Sequence, residues 1–400
     1  MAGNMEAKIL QAAKTAAYNA PYLAESLRLY PGCAPALSAQ KPEDYIAALF
    51  HDLPQDIGDL DAEMAALRQL KRRVHLAIAL CDIAQIWDWD AVTEHLTQLS
   101  DIAMSRLLRC CAAAQGIVGT PDNPVPGLFI LAVGKYGARE LNYSSDIDFC
   151  VFYDPDVIQL PNMARAERTL IKFVQSLIAG FERITVDGYV FRTDLRLRPD
   201  PAVTPVCIAA EAAERYYESL GRTWERAAYI KARIAAGDAE AGERFLKVLK
   251  PFVWRKHLDF AAIQDAHDMR LRIREHKGLG GKIELEGHNM KLGRGGIREI
   301  EFFTQTRQLI AGGRDASLRM RGTVPALARL AEQGWVPEET TQTLAAHYRA
   351  HREVEHRVQM IGDAQTHLLP NSADGMAQLA AFMGEDLRDL QGKLTDRLEE

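Results

Sequence analysis

Apolar positions along this chain fall into distinct patterns, and each predicts a different element. Up to about residue 120 the chain is rich in alanine and leucine, which favours helix. Leu67, Leu70, Val74, Ile78 and Cys81 recur there at helical spacing, as one buried stripe. Pro21, Pro31, Pro35, Pro42 and Pro54 punctuate shorter helices before it. The Pro-rich stretch TPDNPVPG, Thr120 to Gly127, then marks a boundary. From Leu128 to Val133 the residues are continuously apolar, as in a buried strand. Gly134 and Gly137 break that run, and a second apolar run extends from Ile147 to Tyr153. Leu170, Phe173, Val174, Leu177, Ile178 and Phe181 give a helix with one wide apolar face, ending near Arg183.

Asp187-Gly188 is a hairpin signal. After it, Tyr189 to Arg198 alternates like a half-buried strand. Tyr189, Phe191, Thr193, Leu195 and Leu197 take one face; Arg192, Asp194, Arg196 and Arg198 take the other. Residues 211–236 read as two helices around Gly221, and a charged helix is expected from about Ala261 to Lys277. From Val324 onward the pattern is helical again. The last segment is a charged amphipathic helix without a terminator, which implies a chain cut from something longer. The fold class is therefore α+β: a small mixed sheet over residues 121–235, flanked by helical regions at 1–120 and 236–400.

Composition narrows the classes of function. The 400 residues carry a net charge of −6, against a protein whose main task is gripping nucleic acid. Six scattered cysteines, with no Cys-x-x-Cys spacing, favour free thiols in a reducing cytoplasm over a zinc site or a disulfide framework. No apolar run reaches membrane-spanning length, and the N-terminus lacks the layout of a signal peptide.

The chemistry concentrates at the entrance to the second strand. Asp146 and Asp148 are two apart, so on a strand both carboxylates project from one face. Such a pair repels unless a cation sits between its members, and Mg²⁺ at a phosphate site is the usual cation. A solvated turn is the alternative. Gly134, Ser144 and Ser145 suit a loop whose backbone approaches a phosphate. If the Tyr189–Arg198 strand lies alongside, Asp194 becomes a third carboxylate, suited to a pair of divalent ions. Arg192 and Arg196 would then clamp phosphate oxygens; an ordinary salt-bridged edge strand is the other reading. Glu225, Arg226, Lys231 and Arg233 face either a nucleotide or solvent. Lys291, Arg294 and Arg298 lie among Gly293, Gly295 and Gly296 in a basic turn that feeds a helix, an anion site at a helix N-terminus. Glu299 and Glu301 follow in that helix's first turn, where acids are favoured for dipole reasons too. Gly278, Gly280 and Gly281 do not fit a P-loop. His347, His351 and His356 read as a polar helix face rather than metal ligands, and His51, His75 and His95 as lone structural or exposed residues.

These motifs carry a resemblance. Strand, glycine turn and Ser-Ser-Asp-Ile-Asp resemble the nucleotidyltransferase superfamily related to DNA polymerase beta, except that Lys135 stands where that superfamily usually has serine. The fuller pattern, GKYGARELNYSSDID with RTDLRLRP, is similar to the glutamine synthetase adenylyltransferase/adenylyl-removing enzymes. GHNMKLGRGGIREIEF resembles their N-terminal, adenylyl-removing half. The resemblance covers most of the chain from about residue 125. It implies phosphorolysis of an adenylylated tyrosine on glutamine synthetase, with orthophosphate consumed and ADP released. It also implies Mg²⁺, or Mn²⁺ in its place, on Asp146, Asp148 and Asp194, and regulation by a PII-type signal protein. ATP-dependent adenylylation by the same kind of site and a non-catalytic binding module are the alternatives.

Overall fold

A computed structural model of the chain describes residues 2–54, 59–256 and 281–400. The helix expected over 261–277 and the glycines at 278 and 280 lie outside these. Six helices come first: α1 (Ala2–Asn19), α2 (Pro21–Leu29), α3 (Cys33–Ser38), α4 (Pro42–His51), α5 (Leu60–Ile83) and α6 (Trp89–Ala114). The sheet region follows, with β1 (Leu128–Ala132), α7 (Gly134–Ala138), β2 (Asp146–Tyr153), α8 (Ala166–Glu182), β3 (Arg192–Asp194), β4 (Cys207–Ala209), α9 (Ala210–Ser219), α10 (Thr223–Ile230), β5 (Arg233–Gly237) and α11 (Ala239–Val253). Then come α12 (Ile297–Ala311), α13 (Thr323–Glu332), α14 (Glu338–Gly362), α15 (Ala373–Met383) and α16 (Leu387–Glu399). The α+β class is borne out, with a small mixed sheet among many helices.

The sheet runs β3-β2-β1-β5, with β4 also paired to β2. β1 is antiparallel to both β2 and β5, while β3 and β4 lie parallel to β2. Both faces are covered, which explains why β1 is apolar throughout: a strand with no solvent face does not alternate. Leu128, Ile130 and Ala132 of β1 join Ile147, Phe149 and Val151 of β2 in one core with α5, α6 and α8. Phe129, Leu131, Cys150 and Phe152 point the other way, into a core with α9, α10 and α11. The α5 stripe is buried as its spacing predicts, from Leu67 to Cys81, and the six cysteines are buried, with no disulfide among the described residues.

Two expectations are corrected. Residues 233–237 are not the end of a helix but β5, the edge strand beside β1. An Ala-rich apolar run this short fits helix or strand alone, and pairing with β1 decides it. The strand expected over 189–198 is regular only at Arg192–Asp194. Beyond Asp194 the chain turns, and the Arg198 guanidinium is spent on the carbonyls of Leu195, Pro201, Thr204 and Pro205.

α14 packs an unusual load of polar groups. His351, Arg352, Glu355 and Gln359 are each 0% exposed, and His356 is 1% exposed, so this is no solvent face. His356 Nε2 meets Asn142 Oδ1 at 3.0 Å, with Asp82 Oδ2 3.5 Å from its Nδ1. In the N-terminal region, His75 is buried edge-on to Tyr143, and His95 stacks on Trp87 at 4.2 Å between ring centroids. Among the described residues, no helix is long and apolar enough to cross a membrane.

Candidate active site

The ladder between β2 and β3 sets the carboxylates. Its register pairs Asp146 with Arg192, Ile147 with Thr193 and Asp148 with Asp194. In-register neighbours point to the same side of a sheet, so Asp194 joins the face that Asp146 and Asp148 share. All three line a cleft of about 430 Å³ together with Gly134, Lys135, Ser145, Arg196, Lys291 and Arg298.

Two glycines make room for this geometry. Gly134 has φ +57°, and a Cβ there would sit 2.7 Å from Asp148 Oδ2. At Gly137 a Cβ would lie 2.2 Å from the Lys231 carbonyl, so α7 can pass under the end of α10 only without a side chain.

The carboxylates are held in a tense state. Burial pushes the Asp148 carboxyl up to about 7, and the charge on Asp194 adds to it. Burial would also raise Asp194, but hydrogen bonds from Arg196 outweigh it and hold Asp194 below the usual range. Asp146 Oδ2 accepts from Gln365 Nε2, whereas its buried Oδ1 makes no hydrogen bond and has Arg192 Nε beside it at 3.4 Å. These features fit a hard divalent cation: crowded carboxylate oxygens, one of them orphaned, with no Cβ in the way. Among the described residues, no three His, Cys, Asp or Glu groups stand as a ready-made metal cage. Arg196 occupies Asp194 and Gln365 occupies Asp146, so a cation on these carboxylates would have to displace those partners.

The basic residues divide. Lys135 is half-buried beside Glu355, 3.7 Å away, and desolvation lowers its ammonium to about 8 against the pull of that carboxylate. Lys291 and Arg298 reach the cleft from the turn before α12. Ser144, Arg192 and Arg294 are not among the lining residues. Ser144 is 1% exposed, gives its hydroxyl to Asp363, and its N–H to Gln359. Arg192 donates to the Ser144 carbonyl and to the Tyr189 hydroxyl, bracing the loop behind Asp146. Arg294 is exposed.

Lys231, read from the sequence as facing either a nucleotide or solvent, also lines the cleft, whereas Gln365 and His367 carried no individual signal. Lys231 is 4% exposed, not solvated, with its Nζ 3.0 Å from Glu301 Oε1 and 3.2 Å from Glu140 Oε2. Glu225, Arg226 and Arg233 are also buried: Glu225 caps α10, Arg226 donates to the Val253 carbonyl, and Arg233 pairs with Asp101 at 2.7 Å. Gln365 and His367 enter from the segment after α14. That segment passes over the carboxylates because Asp363 ends α14 in the left-handed region, at φ +47°.

Comparison with known proteins gives the family. The model of a family described as glutamate-ammonia ligase adenylyltransferase matches residues 10–248, more than half of the chain. The chain belongs to this family. A second model, GlnD PII-uridylyltransferase, matches residues 267–400. Similar curated relatives are named bifunctional glutamine synthetase adenylyltransferase/adenylyl-removing enzymes. The protein from Brucella melitensis biotype 1 is 46% identical over 91% of this chain and 38% of its own length. The one from Rhodopseudomonas palustris (strain TIE-1) is 47% identical over 97% of this chain and 40% of its own. The chain thus spans about two fifths of the adenylyltransferase relatives it matches. Its cleft draws on both matched regions, the carboxylates from the first and Lys291, Arg298 and Glu301 from the second.

Proposed function

We propose that this chain removes AMP from an adenylylated tyrosine of glutamine synthetase by metal-dependent phosphorolysis, releasing ADP, as one half of a bifunctional regulator of nitrogen assimilation. The observation that supports this most is the mix of charge in the cleft. Asp146, Asp148 and Asp194 line it together with the cations Lys135, Lys291 and Arg298. Phosphorolysis must seat two anions together, the adenylyl phosphate and orthophosphate. A purely acidic metal site would hold the first and repel the second, so a cationic wall is needed.

Asp146, Asp148 and Asp194 would hold Mg²⁺, or Mn²⁺ in its place. When bound, the metal neutralises phosphate charge and stabilises the attacking and leaving oxygens of an in-line displacement. Lys291 and Arg298 orient orthophosphate, while Lys135, at the N-terminal end of α7, takes a non-bridging adenylyl oxygen. The closely packed Gly134 turn keeps Asp148 aimed into the cleft. The resemblance of GHNMKLGRGGIREIEF to the adenylyl-removing half favours removal over attachment. A PII-type signal protein is the proposed regulatory partner.

The test is incubation with adenylylated glutamine synthetase, Mg²⁺ and phosphate, followed by chromatography for ADP. Saturable, phosphate-dependent ADP release is expected. Consumption of ATP with pyrophosphate release and adenylylation of unmodified glutamine synthetase would overturn the assignment.

A further inference from the structure

His367 lines the same cleft as Asp146 and Asp148, and nothing in the metal scheme uses it. Its Nδ1 is bonded to a carboxylate oxygen of Glu355, on α14. Glu355 is 0% exposed and ionised: burial opposes the charge, but Lys135, the bond to His367 and Arg352 outweigh it and hold the carboxyl well below its usual range. An ionised carboxylate can only accept, so Nδ1 carries the proton and Nε2 is left with a lone pair. Nε2 has no hydrogen bond to any described residue, and the side chain keeps 19% of its exposure.

The ring is also held in place. The His367 carbonyl accepts from the Met290 N–H at 2.8 Å, which joins it to the basic turn. Two residues earlier, Gln365 donates to Asp146. The charged groups around the ring are Glu355 from α14, Lys135 from α7 and Lys291 from the turn. Burial is the largest influence and favours the neutral ring, with Glu355 opposing it.

We propose that His367 is the proton donor to the leaving tyrosine oxygen, oriented by Glu355; this rests on the phosphorolytic reading above. A tyrosine phenolate leaves as the base of an acid of pKa ~10, so its departure gains from a proton. The balance closes without a further reactant. Dihydrogen phosphate gives one proton to Nε2. The resulting hydrogen phosphate forms a new P–O bond to the adenylyl phosphorus. The bond from phosphorus to the tyrosine oxygen breaks, its electron pair stays on that oxygen, and Nε2 delivers the proton there. Tyrosine and ADP leave, the ring is neutral again, and nothing is oxidised or reduced.

The experiment uses His367→Asn, which keeps an N–H toward Glu355 and lacks Nε2, and His367→Ala, whose vacated space admits free imidazole. Both act on adenylylated glutamine synthetase carrying either tyrosine or fluorinated tyrosine, a more acidic phenol. Expected is a kcat loss of ~10²-fold or more in His367→Asn, with KM for the protein substrate held within about twofold. The loss should shrink on fluorinated substrate, and imidazole should restore part of the His367→Ala rate. An equal loss on both substrates without imidazole rescue, or near-normal kcat, overturns the proposal. The two readings fail separately. If wild type only attaches AMP from ATP, phosphorolysis is wrong, and the same variants then report whether His367 takes the phenol proton in that direction.

Discussion

Lys231 and Glu301 meet at 3.0 Å at the floor of the cleft, and the pair joins the sheet region to the helices beyond residue 281. Glu140 accepts from the same ammonium and also from the Thr323 N–H, so three distant segments share one buried cation. Replacing Lys231 with methionine leaves two carboxylates without their cation, Glu140 buried and Glu301 half-buried. The expected cost is ~3–5 kcal/mol of stability, read from urea unfolding. Unchanged unfolding would mean that the two regions are not coupled through this pair.

The same pair sets a pH dependence. Glu301 is opposed by burial but held down to about 2 by Lys231 and Arg352. A depressed carboxyl contributes stability above its unfolded value of ~4.3 and loses it as pH falls toward the folded value. Lys231, burial notwithstanding, is raised by Glu140 and Glu301, so its contribution is full below ~10.4 and fades as pH climbs past it. Thermal melting should therefore fall at both extremes, and Glu301→Gln should flatten the acid limb between about 4.3 and 2.

Asp148→Asn should lower ADP release by ~10²–10³-fold while leaving melting unchanged or slightly raised, because it removes a buried charge beside Asp194. Mg²⁺ should raise the melting temperature of wild type more than that of the variant, since a ligand stabilises the state that binds it. Equal shifts would remove Asp148 from the metal set.

Gly134→Ala tests positioning alone. The added methyl meets Asp148 Oδ2 at 2.7 Å in a left-handed backbone, so the turn or the carboxylate must shift. Turnover should fall by ~10-fold or more while the fold is retained, as circular dichroism would check.

The basic turn separates its own residues. Lys291 and Arg298 line the cleft, whereas Arg294 does not. Arg298→Ala should raise the phosphate concentration for half-maximal ADP release by ~10-fold, and Arg294→Ala should change it little. The reverse result would place the phosphate outside this cleft.

Much of this arrangement was legible in the sequence. The apolar runs located β1 and β2, and the two-residue spacing put Asp146 and Asp148 on one face. The alternation around Asp194 found the strand that holds it, although not where that strand stops. What escaped was long-range. β5 is a strand only because β1 lies beside it. Glu301 reads as an acid of a helix first turn, but the helix starts at Ile297 and only Glu299 lies in that turn; pairing with Lys231 is what Glu301 does instead. Gln365 and His367 follow no periodicity; they reach the cleft because Asp363 turns the chain there. Ser144 shows the converse case, a residue that suits a phosphate loop but whose donors are taken by Gln359 and Asp363.

The buried polar face of α14 also bears on the order of folding. The loop between α7 and β2 is fixed by Arg352, Glu355 and Gln359, which bond to Asn142 and Ser144 across sequence separations of 210, 213 and 215 residues. Contacts this remote form after local ones, since closing a longer loop costs more entropy. During synthesis, β1 and β2 emerge well before the residues that brace the loop ahead of Asp146. The cleft is therefore completed late, once α14 has docked, and a nascent sheet carries its carboxylates before the loop ahead of Asp146 is fixed.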